Sequence, residues 1–162
     1  LLLLLKKWYA YGFIYLSKSK PTSQENSKIY IEHQLNLKKQ VSSCLNYVVN
    51  FYKIEGFSPK LISQYDEPHK IISLQEIIKT IQDLGFEANG VRGNIENLNQ
   101  ITTPSIALVK FREFLDIHVV ITKVTIDYII IYNPENMKEE TYSKDYFSGI
   151  WKGILVLINH QN

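Results

Sequence analysis

Cysteine is almost missing from this chain of 162 residues: Cys44 stands alone. One thiol excludes an internal disulfide framework and any cysteine-rich zinc site, and it suits a reducing compartment. An excess of one charge is also missing. Eighteen basic residues face sixteen acidic ones, for a net charge of +2, and no basic stripe marks a nucleic-acid face. Long apolar runs are absent as well. Residues 1–16 are the most apolar stretch, but Lys6 and Lys7 interrupt it, and it falls short of the roughly 20 apolar residues that span a bilayer. His33, His69 and His160 each lack a second histidine or a cysteine at ligand spacing, so no metal site is expected. The VRGN at 91–94 has one glycine and no following lysine, so it makes no phosphate loop. No cofactor is implied, and an ATPase associated with this chain would have to lie elsewhere.

Tyrosine, isoleucine, lysine and asparagine are abundant, and arginine is scarce, a composition typical of an AT-rich bacterial genome. The chain opens on leucine, which points to a piece of a longer polypeptide. Its first sixteen residues allow two readings. One is a membrane-proximal segment with Trp8, Tyr9, Tyr11 and Tyr15 at the interface; the other is a chain end that packs on the domain or frays. Residues 17–27 (SKSKPTSQENS) are polar and aperiodic, as a linker would be. The expected division is therefore an N-terminal segment and linker over 1–29 and one domain over 30–162, a length able to bury a core.

Within that domain Val41, Cys44, Leu45, Val48 and Tyr52 recur at helical spacing, with Gly56 and Pro59 beyond them as a stop. Ser73 and Glu76 form a capping box for a second helix. Leu74, Ile77, Ile78, Ile81 and Leu84 make its apolar stripe, and Gly85 ends it. A short run over 86–91 and a helical turn over 94–99 follow. Runs rich in β-branched residues at 105–111, 118–124, 128–132 and 153–158 predict four main strands. Asp66–Glu67 and Glu139–Glu140 read as solvated loops. Helices followed by strands predict an α+β domain with an antiparallel sheet covered by helices.

Several motifs stand in order along this frame. Gln34 precedes a helix that carries Leu45, Tyr47 and the aromatic pair Phe51–Tyr52. Leu84–Gly85, Pro104 before SIALV, His118–Val119–Val120, Asn133–Pro134 and Trp151–Lys152–Gly153 follow. Together, over about residues 31–158, they resemble the papain-like cysteine peptidases of bacterial bacteriocin exporters, which cut leader peptides after a double glycine. The resemblance implies a papain-like cysteine-peptidase fold. It places the oxyanion-hole glutamine at Gln34, the nucleophile at Gln40, the general base at His118 and the third triad member at Asn133.

The departures decide the activity. A cysteine peptidase needs a thiolate, stabilised by a helix N-terminus and a nearby imidazolium. Gln40 offers an amide that has no proton to lose near neutral pH, and Val41 stands where the family has glycine. Asn133 in place of aspartate is tolerable, because Cys-His-Asn sites exist. Cys44 lies one turn further into the helix, on its apolar stripe, where a cysteine acts as a small hydrophobe. The expectation is a peptidase-like domain without catalysis that binds a peptide or unfolded protein through Gln34, Gln40 and His118. Its partners would be the transmembrane and ATPase parts of an exporter, at the cytoplasmic face of a bacterial inner membrane. Two alternatives stay open: a leader peptidase using Cys44 with His118 and Asn133, and a structural interaction domain of another membrane complex. Each site residue also has a plain reading: His118 as a partnered strand histidine, Gln34 as a surface amide, Asn133–Pro134 as a turn.

Overall fold

The apolar stripe of Val41, Cys44, Leu45 and Val48 lies on an α-helix, α1, over residues 38–51, and all four side chains are buried. The computed structural model describes residues 38–54, 73–101, 103–112 and 115–160, all within the unit Gln34–Asn162. Expectations for Gln34, His33, His69, Asp66–Glu67, residues 1–16 and the linker fall outside the described residues. The helix is already formed at Lys38, so Gln40 lies within its described part.

The second helix, α2 (Leu74–Asp83), starts as the sequence predicts. Ser73 Oγ accepts from the Glu76 N–H at 3.2 Å, and Glu76 Oε2 accepts from the Ser73 N–H at 2.9 Å. The helix stops at Gly85, whose φ of +87° suits a residue without a Cβ. Strand β1 (Phe86–Arg92) leads to a 3-10 helix (Ile95–Gln100), close to the helical turn expected there. Then come β2 (Ser105–Arg112), β3 (Leu115–Val124), β4 (Tyr128–Asn133), β5 (Lys138–Ser143), helix α3 (Lys144–Ile150) and β6 (Trp151–His160).

Two elements correct the sequence reading. Glu139 and Glu140 are not in a loop but on β5, which pairs with β4 from Tyr128↔Ser143 to Asn133↔Lys138. The strand is an exposed edge with little apolar alternation, so periodicity gave no signal. Helix α3 buries only Phe147, too little for a stripe. His118 also does not open its strand, because β3 has already paired with β2 at Lys110↔Asp116.

The six described strands form one antiparallel sheet in the order β1-β6-β2-β3-β4-β5. Alternation along each strand sends side chains to two faces. On one face, Val41, Cys44, Leu45 and Val48 of α1 and Ile77 and Ile81 of α2 pack on Ile106, Val120, Val156 and Ile158. On the other, Leu98 and Phe147 pack on Val119, Ile121, Ile131 and Leu155. Fully burying each such aliphatic side chain stabilises the fold by about 1.5–3 kcal/mol.

The β4–β5 turn holds Met137 at φ +57°, exposed to 73%. A side chain gains no packing there and suffers the left-handed backbone, which costs about 1–2 kcal/mol. Met137→Gly is expected to raise stability by about 0.5–1 kcal/mol after the added freedom of the unfolded chain is subtracted. Gly85→Ala, in the same backbone region with open space around it, is expected to lower stability by about 1 kcal/mol. Thermal melts of the two variants should shift in opposite directions; parallel shifts would refute the strain argument.

Candidate functional site

The face of α1 that carries Gln40, Ser43, Cys44 and Tyr47 lies over β3 and the β4–β5 hairpin. Tyr47 stacks on Tyr132 with ring centroids 4.5 Å apart. Ser43 Oγ and Tyr132 OH share a 2.8 Å hydrogen bond, and Tyr47 OH donates to Glu139 Oε1 at 2.8 Å. One turn earlier, Gln40 Nε2 donates to Glu135 Oε1. Residues 89 to 95 positions apart in sequence therefore tie the helix to the hairpin.

His118 shares the α1 side of the sheet with Val120, two residues along the same strand. Its carbonyl oxygen accepts the Cys44 thiol at 3.4 Å. Its ring Nδ1 is buried and makes no hydrogen bond among the described residues. Burial lowers the imidazole to about 4, against a smaller upward pull from Asp116, so the ring is neutral at pH 7.

Asn133 ends β4, and its side chain is fully engaged elsewhere. Oδ1 accepts the Glu135 N–H at 3.0 Å, closing the turn, and Nδ2 donates to both Glu140 oxygens at 3.2 Å. Glu140 also accepts from Asn136 Nδ2 at 2.6 Å and from Tyr142 OH. Burial alone would raise the Glu140 carboxyl, but the bonds from Tyr142, Asn136 and Asn133 together hold it below the usual value. In a working triad the third residue orients the imidazole through Nδ1. Here the amide of Asn133 is bound to Glu140 while Nδ1 of His118 has no partner among the described residues. Val120 pairs with Tyr132 between the two strands, but alternation turns Asn133 to the face away from α1 while His118 stays on the α1 side, and the two side chains do not join.

Cys44 is fully buried, and burial pushes its thiol well above the ordinary range. A group in that state is poor at forming thiolate. The site thus holds a buried amide whose Oε1 has no partner among the described residues, a neutral imidazole and two acidic side chains of the hairpin, Glu135 and Glu139. It can exchange hydrogen bonds; it holds no ready nucleophile among the described residues. Glu135, Glu139 and Tyr132 belong to the site although nothing in the sequence marked them as such, and Glu140 holds Asn133 from the same hairpin. Among the described residues no cluster of three metal-ligating side chains occurs, and no helix is long and apolar enough to cross a membrane. His160 is exposed and stacks on Tyr52 with centroids 5.5 Å apart.

Comparison with known proteins agrees with this architecture. Residues 28–162 match the model of the peptidase C39 family. No curated protein matches the chain. The peptidase domain of Streptococcus ComA, a bifunctional ABC transporter of a quorum-sensing pathway, is similar in structure. It is 21% identical at a TM-score of 0.62, over 78% of this chain and 93% of that domain. A double-glycine-motif protease from an AMS/PCAT transporter, solved with the leader peptide, gives 20% identity and a TM-score of 0.63, over 76% and 86% of the two chains. The N-terminal peptidase C39-like domain of a toxin-secretion ATP-binding protein from Vibrio parahaemolyticus gives 15% and 0.60, over 75% and 97%. Likeness at these identities establishes the papain-like arrangement of helices on an antiparallel sheet.

Proposed function

We propose, for a chain that belongs to the peptidase C39 family, that its domain no longer cleaves and instead binds a peptide or unfolded segment as the accessory domain of a bacterial membrane exporter. The observation that supports this reading is the division of roles between Gln40 and Cys44. The position that the family resemblance gives to the nucleophile carries an amide bonded to Glu135. The one thiol of the sequence is buried and donates to the backbone of His118. Loss of a nucleophile leaves the recognition chemistry in place, because extended peptides are held largely by backbone hydrogen bonds with pockets for side chains.

Gln34, Gln40 and His118 are the residues proposed to meet the peptide, with Asn133 as a positioning residue of the hairpin. Two of the similar structures come from ABC transporters, one of them with a leader peptide bound, and this supports the ligand class and the exporter context; the location proposed with them is the cytoplasmic face of an inner membrane. Titrating the isotope-labelled protein with a double-glycine leader peptide is expected to shift the amide signals of Gln40, His118 and Glu135. Mass spectrometry should find the peptide intact after prolonged incubation. Cleavage that an alkylating agent blocks and Cys44→Ala abolishes would overturn the loss of catalysis. Unchanged amide signals at millimolar peptide would overturn the binding role.

A further inference from the structure

The opposite end of the sheet presents a second feature, unrelated to the α1 cleft. A cavity of about 320 Å³ opens between β1, β6 and the 3-10 helix, with Val91, Ile101, Trp151, Leu155 and Leu157 as its apolar wall. Its volume lies at the lower end of the range for ligand sites, enough for one large side chain. Arg92 is the one charged residue of its lining among the described residues. Beside the cavity, β1 is an edge strand: β6 flanks it on one side, and no described strand flanks it on the other.

The edge is half closed. Gln82 Nε2 donates to the Ala88 carbonyl at 3.0 Å, so this carbonyl points away from β6. Residues of an antiparallel strand alternate in the direction of their backbone groups, so Gly90 and Arg92 turn theirs outward as well. Neither has a backbone partner on that side among the described residues. The chain then turns back at Gly93, whose N–H reaches the Gly153 carbonyl at 3.0 Å. The open stretch is therefore the part of β1 that borders the cavity, while a side-chain amide already occupies the part away from it. The other edge of the sheet, β5, carries Lys138, Glu139 and Glu140, the kind of charged edge that discourages pairing.

We infer that the β1 edge at Gly90–Arg92 and the adjoining cavity form a second peptide site, which takes an extended segment with one large apolar side chain and a nearby acidic one. The segment would pair with the outward N–H and C=O groups of Gly90 and Arg92 and lodge its apolar side chain against Leu155 and Leu157. Its carboxylate would meet the charge of Arg92. Strand addition supplies affinity through the backbone and selectivity through the pocket.

The test uses the labelled protein and a capped hexapeptide that alternates threonine and glutamine around a central leucine, with an aspartate two residues further on. Amide exchange at Gly90 and Arg92 is expected to slow at least tenfold at saturation, and the methyl signals of Val91, Leu155 and Leu157 to shift. The same peptide with proline at alternate positions should do neither. Replacing its aspartate by asparagine should weaken binding several-fold, and Arg92→Pro, which removes both an outward N–H and the charge, should abolish it. Methyl shifts without slowed exchange would make the cavity an apolar pocket with no strand pairing and overturn the inference. So would an equal response to the proline peptide, or no response at millimolar peptide. Signals of Gln40 and His118 report the α1 cleft in the same spectra, so the two sites stand or fall separately.

Discussion

In the folded protein Cys44 is expected to react with iodoacetamide at least about a thousandfold more slowly than a free thiol at pH 8. Its side chain is wholly buried and its thiol donates to the His118 carbonyl, so reagent reaches it only when α1 leaves the sheet. Opening a core element costs up to the global stability, about 5 kcal/mol or more, and each 1.4 kcal/mol is a factor of ten. Burial also suppresses the thiolate that does the attacking. Intact-mass measurements in buffer and in denaturant give both rates on the same sample. Labelling of the native protein at the free-thiol rate would revive Cys44 as a nucleophile. A thiol placed by Gln40→Cys should label faster than Cys44, because its neighbour is the hairpin and not the centre of the core. Adding Glu135→Gln should speed it further, since a carboxylate at hydrogen-bond distance opposes ionisation.

The second large effect concerns acid. Lowering the pH from 7 to 4 is expected to destabilise the domain by about 3 kcal/mol through His118 alone. Its imidazole titrates near 6.5 in the unfolded chain and at about 4 in the fold, because burial disfavours the cation. The unfolded state therefore binds the proton first as the pH falls. The stabilising contribution of the neutral ring is complete above about 6.5, declines through that window and is spent near 4. Glu140 acts lower: its folded carboxyl lies below the usual value, so its contribution is present above the unfolded value and disappears as the pH falls through the folded one. Urea midpoints at pH 7, 5.5 and 4.5 separate the two, with His118→Gln flattening the slope above 4.5. The ring signals of His118, followed directly by NMR, supply an independent reading; titration near 6.5 would refute it.

The sequence was most legible where burial imposes a period. The stripe of α1, the capping box of α2 and the runs that became β2, β3, β4 and β6 all bury one or both faces, and their side chains had to alternate or recur accordingly. Strand β5 was hidden because it is the sheet's exposed edge, held by backbone pairing with β4 and by the network around Glu140, with Tyr142 as its one side chain packed on the core among the described residues. Helix α3 was hidden by its length; Ser143, which caps it by accepting the Tyr146 N–H, was its only local signal. At the site, the resemblance picked out Gln40, His118 and Asn133. It could not show that Asn133 is bound to Glu140, because that bond runs between strands. Nor could spacing reveal Glu135, whose partner in α1 lies 95 residues earlier.

The place of β6 has a consequence for how the protein is made. This strand is the last described element, yet it sits inside the sheet between β1 and β2. A ribosome that has released everything up to residue 150 has delivered five strands, of which β1 has no neighbour and β2 lacks one. The buried faces of Ala88 and Ile106 then lie open until Val156 and Ile158 arrive to cover them. The sheet therefore cannot close before β6 is made, and until then β1 and β2 are the kind of unpaired strands that favour aggregation.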